Sequence, residues 1–128
     1  MREILFRGRK TGFNEWVHGL ITSPCEKTMC ELTQTNPKIS WYVDAETVGQ
    51  YTGLTDKNGT KIFEGDIVKF AYNEEDENPV FYSVEWKNDR ACFGYAETAD
   101  KMIEVDSLHC VVIGNIHDNP KLLKEVQG

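Results

Sequence analysis

Short runs of alternating apolar and polar residues recur along the chain between turn residues. In residues 67–72, the side chains of Val68, Phe70 and Tyr72 share one side of an extended backbone, and residues 80–87 repeat the pattern. Similar runs occupy residues 4–7, 16–21, 39–43, 48–52, 91–96, 102–105 and 110–116. A period of two indicates half-buried strands, and short strands at this spacing are typical of antiparallel barrels and rolls. The pattern predicts a mainly β fold.

Three segments depart from this pattern or qualify it. Residues 22–38 are polar, contain two prolines and have no sustained period, which predicts a long loop with at most one short strand. Asn58-Gly59 predicts a tight hairpin turn with positive φ at both positions. After Asp118 or Asn119 as a cap, Pro120 and the apolar spacing of residues 122–126 predict a short C-terminal helix.

One strand carries a histidine among apolar residues. In residues 16–21, Trp16, His18 and Leu20 share a face. We interpret that face as buried, with His18 as a hydrogen-bonded core residue rather than a ligand.

The size and composition are those of one globular domain covering residues 1–128. The chain is 40% hydrophobic and 27% charged, and it contains no apolar run long enough to cross a membrane. Residues 1–7 lack the apolar stretch of a signal peptide. We therefore expect a cytoplasmic protein without membrane contact.

The charge is −7 and is unevenly distributed. Residues 1–10 hold four basic residues against Glu3, so the remaining 118 residues sum to −10. A negative field of this size repels phosphate backbones and disfavours broad nucleic-acid binding. A local anion or nucleic-acid contact is a candidate function for the basic residues Arg2, Arg7, Arg9 and Lys10; solvated side chains on an outer strand face are the alternative.

Neither the cysteines nor the histidines form a recognised reactive or ligand pattern. The spacing of Cys25 and Cys30 is one residue too long for common zinc motifs, and without a secretory signal we interpret both as ordinary loop thiols. Cys92 and Cys110 lie in apolar stretches and are expected to be core residues. No phosphate-binding loop, zinc-protease or nucleophile-elbow string occurs. We expect no catalytic residue, no metal and no cofactor.

Three segments of the sequence carry a resemblance to a family. They are the start of the chain (residues 1–7), the block Gly49–Val68 and the end, Val112–Leu123. Together they resemble the YopX family of phage and prophage proteins. The resemblance implies a mainly β fold with an SH3-type barrel or roll, a phage or prophage origin and no established activity. The cysteine loop (22–38) and the acidic loop (73–79) match nothing in the family. The structural signature comprises Gly53, Asn58, Gly59, Gly65, Asp66, Gly114, Asn115 and Pro120.

Three classes of function follow, in descending order of support. The first is a small non-enzymatic interaction module that binds a host or phage protein inside the bacterial cell, or a second copy of itself. The second is a nucleic-acid-related role, by contact through the basic N-terminal residues or by acidic mimicry of DNA. The third is an enzyme, which no motif supports.

Overall fold

The computed structural model describes residues 3–70, 75, 77, 79–87, 92–95 and 110–122. The chain divides into two compact units, Met1–Tyr51 and Thr52–Gly128. Over the described residues the fold is mainly β, with antiparallel pairing throughout. The predicted fold class is therefore confirmed at this level.

The first unit contains β1 (Phe6–Arg9), β2 (Trp16–Ile21), β3 (Met29–Thr35), β4 (Lys38–Asp44), a 3-10 turn at Ala45–Thr47 and the beginning of β5 (Gly49–Thr55). The strand order is β4-β3-β2-β1-β5. Its core consists of Val17, Cys30, Leu32 and Val43, against which Phe6, Trp41, Ala45 and Val48 pack. This sheet positions the N-terminal basic residues.

The packing of β1 against a core side chain requires glycine at position 8. A Cβ on Gly8 would lie 2.7 Å from Cγ2 of Val43, a fully buried side chain. Gly8 and Phe6 face the core, so the alternation of β1 directs Arg7 and Arg9 to the opposite face.

The second unit contains the end of β5, β6 (Lys61–Phe63), β7 (Asp66–Phe70), β8 (Val80–Lys87), β9 (Cys92–Tyr95) and β10 (Cys110–Asn115). Four of these strands form a sheet in the order β10-β7-β8-β9, with Cys110 opposite Phe70. The core is formed by Ile62, Val68, Val84 and Cys110. Cys110 is fully buried, as predicted; the side chain of Cys92 lies outside the described residues.

Several sequence-based predictions need correction. Residues 22–38 are not one long loop, because β3 and β4 form a hairpin with seven pairs from Met29/Asp44 to Thr35/Lys38. The described strands do not close into a barrel, and SH3-type topology is not confirmed. β1 is only four residues long, and just beyond its end an isolated bridge joins Lys10 to Val43 of β4.

The remaining predictions fall partly or wholly on undescribed residues. The strand at 102–105 lies outside the described part of the chain, as do residues 123–128 of the predicted C-terminal helix and most of the acidic loop.

Candidate functional site

The family-like block Gly49–Val68 contains a turn held by a buried carboxylate. The N–H of Gly59 donates to the carbonyl of Asp56 at 3.0 Å, so Lys57 and Asn58 are the central residues of the turn, and Gly59 follows with φ 83°. The predicted turn with Asn58-Gly59 as its central pair is therefore wrong, although the positive φ of Gly59 is confirmed. This arrangement corresponds to a type I turn closed by a left-handed glycine.

Asp56 connects this turn to the last strand. Its Oδ1 accepts the N–H groups of Asn58 and Thr60, both at 2.9 Å, and its Oδ2 accepts that of Val112 at 2.9 Å. The side chain is 2% exposed. Because backbone donors occupy both oxygens, this carboxylate has a structural role.

Gly65 and Asp66 have a comparable role at the entrance to β7. Gly65, with φ 92°, donates its N–H to the carbonyl of Val84 and accepts the N–H of Ile116. The Oδ2 atom of Asp66, which is 1% exposed, accepts the N–H of Phe63 at 2.7 Å. These contacts join three strands of the second unit around one turn.

The C-terminal part of the signature forms a third hydrogen-bonded turn. Asn115 Oδ1 accepts the N–H groups of His117 and Asp118, both at 2.9 Å, while its own N–H donates to Asn119 Oδ1 at 3.2 Å. A Cβ on Gly114 would collide with the Asn119 side chain. Four signature residues are exposed: Gly53, with φ 90°, Asn58, Gly59 and Pro120. Most signature residues therefore lie at hydrogen-bonded turns of the chain.

The basic N-terminal residues lie on a different surface. Arg7 and Arg9 stand opposite His18 and Trp16 respectively in the β1–β2 ladder, and directly paired residues share a face. The Arg7 guanidinium carbon lies 4.9 Å from the centroid of the Trp16 ring, a cation–π geometry. The structure thus brings two of the predicted anion-contact residues together with an indole.

The other two predicted contact residues are not part of this group. Lys10 follows β1, and its Nζ is 3.4 Å from Glu15 Oε2 and 5.0 Å from the Phe13 ring centroid. Glu15 offsets its charge. Arg2 lies outside the described residues.

This surface continues across the sheet, and we call it the outer face: Arg7, Arg9, Trp16, His18, Leu20, Ser40, Tyr42 and Glu31, which pairs with Tyr42. Thr33 lies between Leu20 and Ser40 on this side of the sheet and is buried. Leu20 pairs with Thr33, which pairs with Ser40, and the two hydroxyl oxygens are 2.8 Å apart. Tyr42 is 62% exposed and Leu20 36%.

His18 is exposed, so its assignment to the core is wrong. The period of β2 was predicted correctly but the buried side was not, because Val17 and Gly19 are the residues that face inward.

Charge is divided unequally between the two units. Residues 1–51 contain six basic and six acidic residues, whereas residues 52–128 contain eight basic and fifteen acidic residues. All of the net charge of −7 therefore belongs to the second unit. The outer face belongs to a unit that is neutral overall, which weakens the electrostatic argument against an anionic partner there.

The structure corrects the interpretation of one cysteine pair. Cys25 and Cys30 form a disulfide, with their Cα atoms 4.4 Å apart. A turn before β3 brings the two residues together: the N–H of Glu26 donates to the carbonyl of Met29 and folds the chain back, and Cys30 begins the buried side of β3. Spacing alone could not reveal this turn.

No three His, Cys, Asp or Glu side chains in the described ranges are close enough to hold a metal ion. No helix in the same ranges is long and apolar enough to span a membrane.

Comparison with known proteins places the chain in a family. No curated protein matches it. A crystal structure of protein EF1440 from Enterococcus faecalis superposes with a TM-score of 0.63 at 22% identity, covering 96% of this chain and 99% of that one. At this identity the likeness concerns the fold alone. The model of the YopX protein family matches residues 6–124, nearly the whole chain. The chain therefore belongs to the YopX family.

Proposed function

We propose that this protein is a small non-enzymatic interaction module that binds a protein partner through the outer face. The observation that carries the proposal is the stacking of Arg7 on Trp16, beside Arg9 and His18, on one side of a two-stranded ladder. Arginine and tryptophan are the residue types that contribute most binding energy at protein interfaces. A rigid sheet holds both here, which lowers the entropic cost of binding.

The side chains of the outer face are complementary to a partner segment that carries negative charge and also has apolar residues. Arg9 offers planar donors that suit carboxylates, whereas Nε and Nη2 of Arg7 are buried. Leu20 and Tyr42 extend the face with apolar and aromatic surface. An acidic peptide carrying an aromatic or aliphatic residue complements both parts.

The biological setting belongs to the same proposal. We infer a phage or prophage origin, and action on a host or phage protein in the bacterial cytoplasm, from what the resemblance to the YopX family implies. A second copy of the chain is the other partner to test, since the second unit is strongly acidic.

A pull-down from lysogenic cells with tagged protein tests the proposal. We expect Arg7→Glu and Trp16→Ala each to remove the partner that the unmodified protein captures. Lys57→Glu is the charge-matched control, because Lys57 is exposed on the turn of the second unit, and it should retain the partner. A partner retained by all three variants would show that the outer face is not the binding surface. Sedimentation over a range of protein concentrations tests self-association.

A second candidate is binding of single-stranded nucleic acid by the same face. The favouring observation is again the Arg7–Trp16 stack, because bases stack on aromatic rings and guanidinium planes, at about 1–3 kcal/mol per base. Fluorescence anisotropy with labelled oligothymidylate at low salt tests it, and Trp16→Ala should abolish the signal. DNA mimicry by the acidic second unit is the third candidate; it requires a basic partner that DNA displaces from this protein.

A further inference from the structure

The disulfide closes a six-residue ring at the beginning of β3. Its two ends differ in environment: Cys25 is exposed, whereas Cys30 is 5% exposed and packs with Val17 and Leu32. Within the ring, the N–H of Glu26 donates to the carbonyl of Met29 at 2.8 Å. One sulfur is therefore accessible from solution and the other belongs to the core.

The chain around this ring forms one wall of a shallow groove of about 280 Å³. Ser23, Pro24 and Glu26 contribute that wall, while Glu31 and Tyr42 contribute the strand side. The segment is also attached at both ends: the hydroxyl oxygens of Thr22 and Thr33 are 2.9 Å apart, and the carbonyl of Thr28 accepts the N–H of Ala45 at 2.9 Å. Residues 23–27 are thus the part whose position depends on the disulfide.

We propose that the Cys25–Cys30 disulfide is a redox-sensitive switch that controls the conformation of residues 23–27 and the shape of this groove. A thiolate from solution attacks the sulfur of Cys25, the Cys25–Cys30 bond breaks, and Cys30 leaves as a thiolate that takes up a proton. A second thiolate then attacks the mixed disulfide, releasing Cys25 as a thiolate and a low-molecular-weight disulfide as the oxidised product. An oxidised low-molecular-weight disulfide reverses both steps.

Because Cys30 is buried in the core, we expect the protein to remain folded after the disulfide is reduced. A free cysteine behaves as a small apolar residue in a core, so the thiol fits among the same neighbours after reduction. Reduction therefore frees the segment without dismantling the first unit. Disulfides of cytosolic proteins are usually transient or redox-sensing, which agrees with a reversible role for this one.

Limited trypsin digestion, read by mass spectrometry, tests the proposal through the bond after Lys27, an exposed residue inside the ring. In reduced glutathione we expect cleavage after Lys27 to become about tenfold faster or more, because local opening no longer meets a covalent restraint. Subsequent transfer to oxidised glutathione should restore slow cleavage. Cleavage after Lys57, in the second unit, is the internal control and should not change.

A variant separates the disulfide from general effects of reductant. Cys25→Ser changes an exposed side chain and should be cleaved rapidly after Lys27 in both buffers. Equal cleavage of the unmodified protein in the two buffers would overturn the proposal. So would a disulfide that excess reduced glutathione does not open in the folded protein, since that bond would be a permanent structural one.

Discussion

The carboxylate of Asp56 accepts the backbone N–H of Val112 at 2.9 Å, across 56 residues of chain. The same side chain holds the N–H groups of Asn58 and Thr60. One buried residue thereby determines the shape of a turn and attaches it to β10.

Asp56→Ala should lower the free energy of unfolding by about 2–4 kcal/mol, because it leaves backbone donors without an acceptor. Asp56→Asn keeps one acceptor oxygen and should cost about half as much. Urea denaturation measures both. Lys57→Ala, on the exposed next residue, should change stability by less than about 0.5 kcal/mol. Equal stability of all three variants would contradict the structural role of the carboxylate.

Gly59→Val should cost about 1–3 kcal/mol through backbone strain alone. The φ of Gly59 is 83°, and a Cβ there would meet nothing within 4 Å, so no collision contributes. Gly59→Asn is the matched control and should cost clearly less, since asparagine tolerates this region better than a β-branched residue. Thermal melting distinguishes the two; an unchanged Tm for the valine variant would show that the turn is different.

Gly8→Ala should destabilise the first unit by about 1–3 kcal/mol, because the added methyl group overlaps Val43. Val43→Ala should relieve part of that cost, so the double variant should lose about 1 kcal/mol less than the sum of the single losses. Gly19→Ala provides the contrast. Its Cβ would lie 2.7 Å from the backbone oxygen of Thr33, which no side-chain truncation can remove. In a double variant, the loss of stability from Gly19→Ala should therefore add to the loss from Val43→Ala.

Cys25→Ala should lower the free energy of unfolding by roughly 2 kcal/mol, the value expected for opening a ring of this size. Dithiothreitol should lower the Tm of the unmodified protein but not that of the variant. Cys110→Ala is the control: it loses core packing at a fully buried position yet keeps its sensitivity to reductant. A reductant-insensitive Tm in the unmodified protein would mean that the disulfide does not stabilise the folded state.

Random-sequence DNA or RNA should bind no more tightly than about 10⁻⁴ M at physiological salt, given the overall charge of −7. Any binding at low salt should weaken steeply as salt rises, and Arg7→Glu combined with Arg9→Glu should abolish it. Micromolar binding at physiological salt that depends on Trp16 would instead place nucleic acid first among the candidate functions.

The strands were the most predictable part of the molecule. Residues 16–21 and 80–87 show a clear period of two, and both are strands with the predicted bounds. Met29–Thr35 escaped prediction because its inward residues include a cysteine and its turn is Asn36-Pro37, so neither a hydrophobic run nor a common hairpin signal marks it. The polar composition of this segment favoured a loop, but pairing with β4 stabilises it as a strand.

The candidate site was less predictable for a geometric reason. Arg7 and Arg9 could be chosen from the sequence as basic residues, but the contact between Arg7 and Trp16 depends on the register of β1 against β2. Register depends on which side of each strand is buried, and the alternation in β2 fits either side. The Cys25–Cys30 pairing depended likewise on a turn that residue spacing does not encode.

The contact between Asp56 and Val112 has a consequence for synthesis on the ribosome. At about 5–20 residues per second, Val112 is added roughly 3–11 s after Asp56, and during that interval the carboxylate lacks its distant donor. The first unit has no such delay, because its core and strands β1–β4 lie within residues 1–51. The outer face of the nascent chain can therefore fold before β10 of the second unit has been synthesised.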